Sequence, residues 1–318
     1  ALGRDRDPGV LPDPVNATGR GRDQDLSDLH ILVCAPSNGA ADVITLRLIA
    51  LMQHFADEHA ATQNDRKLKN LSPQPSPLAD SFRDRKLILR LNSHQRSNAE
   101  IKPELYSYCH FNEEKGLYDT PPPAQLRGFR IVVCTCIAAT ILGQPGIIAM
   151  AAGQDGGDKE GGNDHGQHFD YVFVDEASQA MEPEVFVPLT VAPRAAVILA
   201  GDHKQLGPSV RSALARQMGL AVSMQERLLQ RESVYTTGRP ECFMKLVRNY
   251  RSHQALLDLP SQMFYDGELQ CHADPKVSES LEGCHLLPVN FAVSNDNGVE
   301  EGEGGGEEEG QEEEEGQE

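Results

Sequence analysis

Four short runs of apolar residues recur along the chain, and polar residues follow each of them. They cover residues 30–35, 130–134, 171–174 and 196–200. Uninterrupted apolar runs of this length, separated by segments with helical spacing, are typical of parallel strands that are covered on both faces. The pattern therefore predicts an α/β fold with a mostly parallel sheet.

The segment after the first run predicts a helix that crosses over to the next strand. Either Ser37 or Asn38 stands where its side chain can cap the first turn. Four apolar residues then recur at helical spacing: Ile44, Leu48, Leu51 and Phe55. We expect this helix to cover one face of the sheet.

Two interruptions break the alternation of strands and helices. Residues 57–128 are polar and rich in proline, and residues 143–168 contain a glycine- and aspartate-rich stretch. Both predict insertions on a domain of residues 29–240, outside its sheet. Residues 241–290 predict the start of a second domain. We expect residues 1–28, which have scarcely an apolar side chain, to be a disordered lead-in. We expect residues 291–318 to be a disordered acidic tail.

The net charge of −19 is concentrated at the end of the chain. Residues 300–318 hold eleven glutamates and no basic residue, so that without them the net charge is only −8. The remainder contains a locally basic stretch, which is compatible with a phosphate-contacting surface or with a solvated charged face. Its members are Arg66, Lys67, Lys69, Arg83, Arg85, Lys86, Arg90 and Arg96.

No run approaches the roughly 18 uncharged apolar residues that a membrane span needs, and residues 1–10 contain no apolar signal segment. The seven cysteines are an odd number, which favours reduced thiols over a disulfide framework. We therefore expect a cytoplasmic protein, or a nuclear one, without a membrane partner.

Two adjacent carboxylates follow the third apolar run, in the sequence DEASQ at residues 175–179. Asp175 stands at the carboxyl end of a predicted parallel strand, where ligands bind such sheets, and can hold Mg²⁺. Glu176 can polarise an attacking water. This resembles the Walker B segment of P-loop ATPases, although a bare acidic pair is more often a strand followed by an acidic turn.

The next strand ends in GDHKQLGP at residues 201–208. A glycine-flanked polar turn at this position brings Asp202 and Gln205 to the same edge of the sheet as Asp175. Gln205 is uncharged and can donate a hydrogen bond to a phosphate oxygen or to the attacking water. Two such motifs in this order favour a nucleotide site over an acidic turn.

Together with LVRNYRSH at residues 246–253, these segments resemble motifs II, III and IV of superfamily 1 helicases of the up-frameshift type. The segment NYRSHQALLDLPSQMFYDGELQ at residues 249–270 is similar in particular to the Armitage and Moloney-leukaemia-virus-10 branch, which are RNA helicases of small-RNA silencing. The resemblance runs from about residue 29 to residue 273, outside the two interruptions. It implies a RecA-like P-loop NTPase fold.

The resemblance also implies a role for each matching residue in ATP hydrolysis. Asp175 would coordinate Mg²⁺, Glu176 would be the catalytic base and Gln205 would sense the γ-phosphate. Arg251 would reach the γ-phosphate from the second RecA-like domain. Asp202, Arg248 and Tyr250 are assigned to nucleotide binding, Tyr250 by stacking on the base, although a tyrosine packed at a domain edge remains an alternative.

RNA contacts would come from strand-end loops on the face away from the nucleotide, and these loops match two further motifs. Residues 34–38 (CAPSN) resemble motif Ia, in which Pro36, Ser37 and Asn38 and the exposed N–H groups of a helix start hold a strand phosphate. Residues 134–136 (CTC) resemble motif Ic, in which the hydroxyl of Thr135 contacts another phosphate. A serine and an asparagine before a helix can also be only an N-terminal cap.

One element of the family pattern is missing. A P-loop follows the pattern GxxxxGK[ST], because its backbone amides and lysine surround the phosphates of ATP. No Gly-Lys dipeptide occurs anywhere in the 318 residues. The first RecA-like domain is then nearly complete except for the P-loop, and the second is truncated. A fragment, a mis-assembled gene model and a degenerate copy all remain open.

These features leave open three functions. The first is an ATP-dependent RNA helicase, with ATP, Mg²⁺ and single-stranded or duplex RNA as ligands, silencing proteins as candidate partners, and a place in RNA silencing or mRNA turnover. The second is an ATP-independent RNA-binding or scaffold module, as the missing P-loop suggests. The third is a DNA helicase, which only the resemblance around motif IV disfavours.

Overall fold

The computed structural model describes residues 29–68, 87–144, 147, 168–231, 235 and 242–274, and of residues 63–68 only the backbone. The chain divides into two compact units, Ala1–Met244 and Lys245–Glu318. The predictions for residues 1–28, for most of residues 143–168 and for residues 291–318 lie outside the described residues. The predicted domains, with a second domain that begins at residue 241, stay a prediction.

In chain order, the described elements of the first unit are β1 (Ile31–Ala35), α1 (Asn38–Leu68), β2 (Ile88–Arg90), β3 (Phe111–Asn112), β4 (Leu117–Tyr118), α2 (Pro123–Leu126), β5 (Ile131–Thr135), β6 (Tyr171–Val174), α3 (Glu182–Val191), β7 (Ala196–Leu199), α4 (Ala213–Gln217) and α5 (Met224–Arg231). Five of these strands form a sheet in the order β2-β5-β1-β6-β7, in which every neighbouring pair is parallel. The four apolar runs are strands β1, β5, β6 and β7, as predicted.

The prediction that residues 57–128 lie outside the sheet is wrong at β2. This strand pairs in parallel with β5, in register from Ile88 opposite Ile131 to Arg90 opposite Val133. It has only three residues, which is too short for an apolar run to stand out from the polar sequence around it. The remainder of the described segment forms 3₁₀ turns and the short antiparallel pair β3–β4.

Alternating strand residues pack into separate cores on the two faces of the sheet. Leu32 and Cys34 of β1 belong to the core that the 3₁₀ turn Ile137–Ile141 and helix α3 cover. Val33 and Ala35 of the same strand face helix α1 on the other side. Both faces of the sheet are therefore covered, which accounts for the uninterrupted apolar runs.

Helix α1 is the predicted crossover helix, but only part of its predicted apolar face is covered. Ile44 and Leu48 pack against the sheet, whereas Leu51 and Phe55 are 49% and 44% exposed. Ser37 caps the helix, because its Oγ accepts a hydrogen bond of 3.1 Å from the N–H of Ala40. Asn38 is then the first residue of the helix rather than its cap.

The second unit is described over residues 245–274. It contains β8 (Arg248–Asn249), α6 (Gln254–Phe264) and β9 (Gln270–Cys271), and the two short strands pair in parallel. Helix α6 begins after His253, whose Nδ1 accepts a hydrogen bond of 3.2 Å from the N–H of Ala255. Within the described residues of the whole chain, no helix combines the length and apolar character that crossing a membrane requires.

Candidate functional site

The predicted site residues of the first unit all stand at or just after the carboxyl ends of its parallel strands. Because the five strands are parallel, these ends lie along one edge of the sheet. In spatial order, this edge carries Arg90 as the last residue of β2, Thr135 as the last residue of β5, residues 36–38 after β1, residues 175–176 after β6 and residues 201–205 after β7. The residues predicted to contact RNA and those predicted to contact the nucleotide therefore occupy adjacent parts of the same edge, and not separate faces as predicted, because all five strands end on this edge.

Asp175 is held by the backbone at the end of β6. Its N–H donates to the carbonyl oxygen of Cys34 over 2.8 Å, which extends the pairing with β1 by one residue. Its carboxylate makes no hydrogen bond or ion pair with any residue that the structure describes. A carboxylate without a protein partner, fixed at a strand end, is suited to binding a hard divalent cation.

Glu176 adopts an unusual backbone conformation for a residue with a side chain. Its φ is +52°, in the left-handed region. A turn follows, in which the N–H of Gln179 donates to the carbonyl oxygen of Glu176 over 2.9 Å. Nε2 of Gln179 also donates to Oε2 of Glu176 over 2.9 Å. This conformation costs on the order of 1 kcal/mol, and such strain is concentrated at functional sites.

The turn after β7 approaches the DEASQ segment so closely that residue 201 must be glycine. A Cβ atom there would lie 2.9 Å from the backbone nitrogen of Ser178 and 2.7 Å from Oε1 of Gln225. Nε2 of Gln225, in helix α5, donates to the carbonyl oxygen of Gly201 over 3.1 Å. This contact of Gln225 was not predicted, because a glutamine in a helical segment carries no signal of its tertiary partner.

Asp202 and Gln205 contact each other within this turn. Nε2 of Gln205 donates to Oδ2 of Asp202 over 2.8 Å, and the N–H of Lys204 donates to Oδ1 of Asp202 over 3.0 Å. Gln205 is exposed. One N–H of its amide is used by Asp202, and the second N–H and Oε1 stay available to a ligand.

The loop after β1 presents Pro36, Ser37 and Asn38 beside the loop after β5. Ser37 and Asn38 are exposed, and Oγ of Ser37 keeps its own O–H for donation to a ligand. Thr135 is the register partner of Ala35, and its Oγ1 accepts from the N–H of Ala138 over 3.1 Å. The hydroxyl groups of Ser37 and Thr135 thus cap neighbouring helical turns at the sheet edge.

Behind this loop lies a buried charge cluster, which we define as Asp42, Arg90 and Arg96. Nε of Arg90 donates to Oδ1 of Asp42 over 2.9 Å, and Nη2 of Arg96 donates to Oδ2 of Asp42 over 2.5 Å. Burial raises the pKa of Asp42, but the hydrogen bonds and charges of Arg96 and Arg90 outweigh it, so the net pKa lies below the usual value. All three residues are therefore charged, and the cluster carries a net positive charge.

The buried charge cluster corrects the prediction of a basic surface. Arg90 is 0% exposed and Arg96 is 8% exposed, so neither can contact a ligand directly. The other six residues of the predicted basic stretch lie outside the residues whose side chains are described. A basic residue in a sequence indicates charge and not position, which is why burial of these two arginines was missed.

The second unit contains Arg248, Tyr250 and Arg251. Oδ1 of Asn249 accepts from the N–H groups of Arg251 and Ser252, over 2.9 and 2.8 Å. These two hydrogen bonds fix the turn that contains Tyr250 and Arg251. Tyr250 is 67% exposed, and its ring centroid lies 5.5 Å from that of His272. Stacking of Tyr250 on the base stays a prediction, beside the alternative of a tyrosine packed at a domain edge.

Comparison with known proteins identifies the family. Two models described as AAA domain match residues 156–213 and residues 220–307. The chain is 36% identical over 274 residues to mouse "RNA helicase Mov10l1", a match that covers 83% of this chain and 18% of the relative. It is 34% identical over 259 residues to zebrafish "Putative helicase mov-10-B.2", covering 79% of this chain and 21% of the relative.

The chain belongs to the superfamily 1 helicases of the up-frameshift type, in their Mov10 branch. A more distant match, 28% identical over 275 residues, joins it to the human "Probable helicase with zinc finger domain", of which it covers 12%. The parallel sheet of the first unit is accordingly that of an α/β RecA-like fold. The chain spans about a fifth of the length of the Mov10 relatives described above.

Proposed function

We propose that this chain is part of an ATP-dependent RNA helicase, which couples ATP hydrolysis to translocation on RNA or to its remodelling. The observation that carries the proposal is the alignment of two groups of residues on one sheet edge. One group suits a nucleotide and its metal, and the adjacent group suits a phosphate backbone. Neighbouring sites on one set of packed strands allow binding at one to bias the other.

The nucleotide part of the proposal begins with Mg²⁺. Asp175 fits this ion, because its carboxylate has no partner among the described residues and Mg²⁺ is usually bound through one or two carboxylates together with substrate phosphates. Bound Mg²⁺ would neutralise charge on the phosphates of the substrate ATP. Asp202, in the turn after the neighbouring strand β7, is proposed to support nucleotide binding by holding Gln205.

Glu176 is proposed as the general base and Gln205 as the γ-phosphate sensor. The carboxylate of Glu176 can accept the proton of the attacking water, as general bases do. Gln205 can donate one amide N–H to a phosphate oxygen while Asp202 holds the other. From the second unit, Arg251 and Arg248 are proposed to contact the phosphates as fixed positive charges, and Tyr250 to stack on the base.

The RNA part of the proposal rests on Pro36, Ser37, Asn38 and Thr135. The hydroxyl groups of Ser37 and Thr135 and the side-chain amide of Asn38 are donors at the starts of two helical turns, which is a favourable position for an anion such as a backbone phosphate. Such contacts do not read the sequence of the bases. We therefore expect binding that depends on the length of the strand more than on its sequence.

RNA, rather than DNA, is the proposed substrate because the relatives with 36% and 35% identity are named RNA helicases. We further propose a role in RNA silencing or mRNA turnover, in the cytoplasm and with small-RNA silencing proteins as partners. This part rests on the resemblance to the Mov10 branch alone. The proposed ATP hydrolysis and RNA binding do not depend on this biological role.

The proposal requires a phosphate-binding loop that is not within these 318 residues, since they contain no Gly-Lys dipeptide. The full-length protein is therefore the correct material for a test. ATP hydrolysis by the purified full-length protein should be stimulated by single-stranded RNA. Glu176→Gln should lower kcat by at least about 100-fold while ATP binding is kept, because a missing general base removes that much.

The matched control is Glu113→Gln, which changes an exposed carboxylate in the turn between β3 and β4 and should keep full activity. Activity that survives Glu176→Gln would remove this residue from the role of base. RNA binding without any ATP binding would favour the scaffold function instead. Equal stimulation and unwinding with DNA would contradict the proposed preference for RNA.

A further inference from the structure

Asn38 stands between the exposed end of the sheet and the buried charge cluster beneath it. Its side chain is exposed on one side. On the other side, Nη2 of Arg90 donates to its Oδ1 over 3.0 Å. Asn38 is thus the only member of the proposed RNA-contacting loop for which the described residues provide a charged side-chain partner.

The arginine determines which end of the amide faces outward. An asparagine amide can present either its oxygen or its nitrogen to a given neighbour, but a guanidinium has donors only. Nη2 of Arg90 can therefore be satisfied only by Oδ1 of Asn38. Nδ2, with its two N–H donors, is then directed away from Arg90, and among the described residues it has no acceptor.

Arg90 is itself immobilised, so that the orientation of Asn38 is fixed before a ligand arrives. The guanidinium is fully buried and its Nη1 donates to the carbonyl oxygen of Leu91 over 2.6 Å. Its Nε donates to Asp42, which lies one helical turn after Asn38 on α1. One guanidinium thus bridges two positions four residues apart on the same face of the helix.

We propose that Arg90 is a positioning residue for RNA binding, which holds Asn38 so that both N–H groups of its Nδ2 face a backbone phosphate. This inference rests on the proposed function, because it takes RNA as the ligand of the loop. Arg90 does not touch the phosphate. It acts through Asn38 by removing the alternative amide orientation, in which an oxygen would repel the anion.

The net charge of the cluster adds to this effect. Two arginines surround one aspartate, so a positive charge remains under the loop at the N-terminal end of α1. The partial positive charge of a helix N-terminus has the same sign. Both contributions favour an anion at the position toward which Nδ2 of Asn38 is directed, and neither depends on the sequence of the RNA.

The first test compares two substitutions of Asn38 in the full-length protein. Binding of a fluorescent single-stranded oligouridylate is measured by anisotropy. Asn38→Ala should weaken binding about 10- to 150-fold, because it removes the hydrogen bonding of Nδ2 to a charged phosphate. Asn38→Asp keeps the acceptor for Arg90 but places a negative oxygen outward. It should weaken binding more than Asn38→Ala while the thermal unfolding midpoint stays at or above the wild-type value.

The second test is a double-mutant cycle with Arg90→Lys. A lysine has a single nitrogen and cannot reach Asp42 and Asn38 in the geometry of a guanidinium. Arg90→Lys should weaken RNA binding about 3- to 10-fold when residue 38 is asparagine, and by less than about twofold in the Asn38→Ala background. A purely structural role of Arg90 would give the same loss in both backgrounds.

Arg96→Lys is the matched control, because Arg96 shares Asp42 with Arg90 but makes no contact with Asn38. It should perturb stability like Arg90→Lys and leave RNA affinity within about twofold of wild type. Equal losses of affinity in Arg90→Lys and Arg96→Lys would overturn the proposal. So would an Asn38→Asp variant that binds RNA as well as wild type, which tests the idea even if Arg90→Lys does not fold.

Failure of the inference and failure of the proposed function give different results. If the wild-type protein binds no RNA, the proposed function is wrong and the positioning role falls with it. If the wild-type protein binds RNA and Ser37→Ala or Thr135→Ala weakens binding while the Asn38 variants do not, only the inference about Arg90 and Asn38 is refuted.

Discussion

Gln205 and Asp202 are joined by a hydrogen bond of 2.8 Å from Nε2 of the glutamine to Oδ2 of the aspartate. The contact lies in the turn after β7, where the N–H of Lys204 donates to the other carboxylate oxygen. Asp202 therefore restrains the exposed side chain that is proposed to sense the γ-phosphate. A restrained donor loses less conformational entropy when it binds its ligand.

We predict that Asp202→Ala lowers kcat of the RNA-stimulated ATPase about 3- to 10-fold through the loss of this restraint. Asp202→Asn keeps an oxygen that can accept from Gln205, so it should retain most of the activity. Steady-state kinetics on the full-length protein measure both variants. If Asp202→Asn loses as much activity as Asp202→Ala, the charge of Asp202 matters and a direct contact with metal or nucleotide replaces the positioning role.

Strain at Glu176 yields a second prediction, which concerns stability. Because φ of Glu176 is +52°, glycine should be favoured over alanine at this position. Relief of left-handed strain is worth about 1 to 2 kcal/mol, and the greater freedom of glycine in the unfolded chain offsets about half of it. We expect Glu176→Gly to be more stable than Glu176→Ala by roughly 0.5 to 1 kcal/mol, although both are inactive.

Gln53 provides the matched control, because it is an exposed residue within helix α1. There the order should reverse, and Gln53→Gly should be less stable than Gln53→Ala by about 1 kcal/mol. Thermal unfolding of the four variants gives both differences. Alanine more stable than glycine at position 176 would show that no backbone strain is stored at the proposed base.

The main strands were predictable because burial on both faces leaves a strong signal. A strand such as Tyr171–Val174 must be apolar at every position. The polar residues that directly follow it are then the few candidates for a functional edge. The placement of Asp175 and Gly201 at one edge then follows from parallel pairing alone. Their chemical roles came from the resemblance, since an acidic pair by itself does not distinguish a base from a solvated turn.

Strand β2 and the contacts of its arginine were not predictable in the same way. A strand of three residues is too short to show as an apolar run. Arg90, the last residue of this strand, was predicted to be a surface charge because it is basic. Its partner Asp42 is 48 residues away in the sequence, near the start of helix α1. Long-range pairing of buried polar groups depends on tertiary geometry, and a single sequence contains no periodicity that reports it.

A third prediction concerns the ion pair that joins helix α5 to the start of helix α3. Nε and Nη2 of Arg227 donate to the two carboxylate oxygens of Glu182, over 2.8 and 2.6 Å. Both side chains are about one quarter exposed. We expect Arg227→Leu to lower the free energy of unfolding by about 0.5 to 1.5 kcal/mol at pH 7, a modest value because solvent screens the pair.

The pH dependence of this effect has a definite sign. The hydrogen bond from Arg227 lowers the pKa of Glu182 below its usual value near 4.5. The stabilisation is therefore fully present above that value and is lost as the pH falls through the lowered pKa of the folded state. Wild type and Arg227→Leu should converge in stability in acid, and a difference that persists at low pH would indicate packing rather than charge.

The last prediction concerns His168, at the opposite edge of the sheet from the candidate site. The residue is 6% exposed, and its ring packs 4.7 Å from that of His30 and 4.6 Å from that of Phe169. Burial, together with the charge of His30, lowers the pKa of His168 to about 4 from its usual 6.5. The folded state therefore favours the neutral ring, and its Nε2 has no hydrogen-bond partner among the described residues.

Because the folded-state pKa is depressed, the unfolded chain binds the proton first as the pH falls. The stabilisation by neutral His168 is fully present above about pH 6.5 and is lost progressively between there and about pH 4. The full shift corresponds to about 3 kcal/mol. His168→Gln cannot titrate, so its unfolding midpoint should fall less than that of wild type over this window. Parallel pH profiles for the two proteins would exclude His168 as the titrating group.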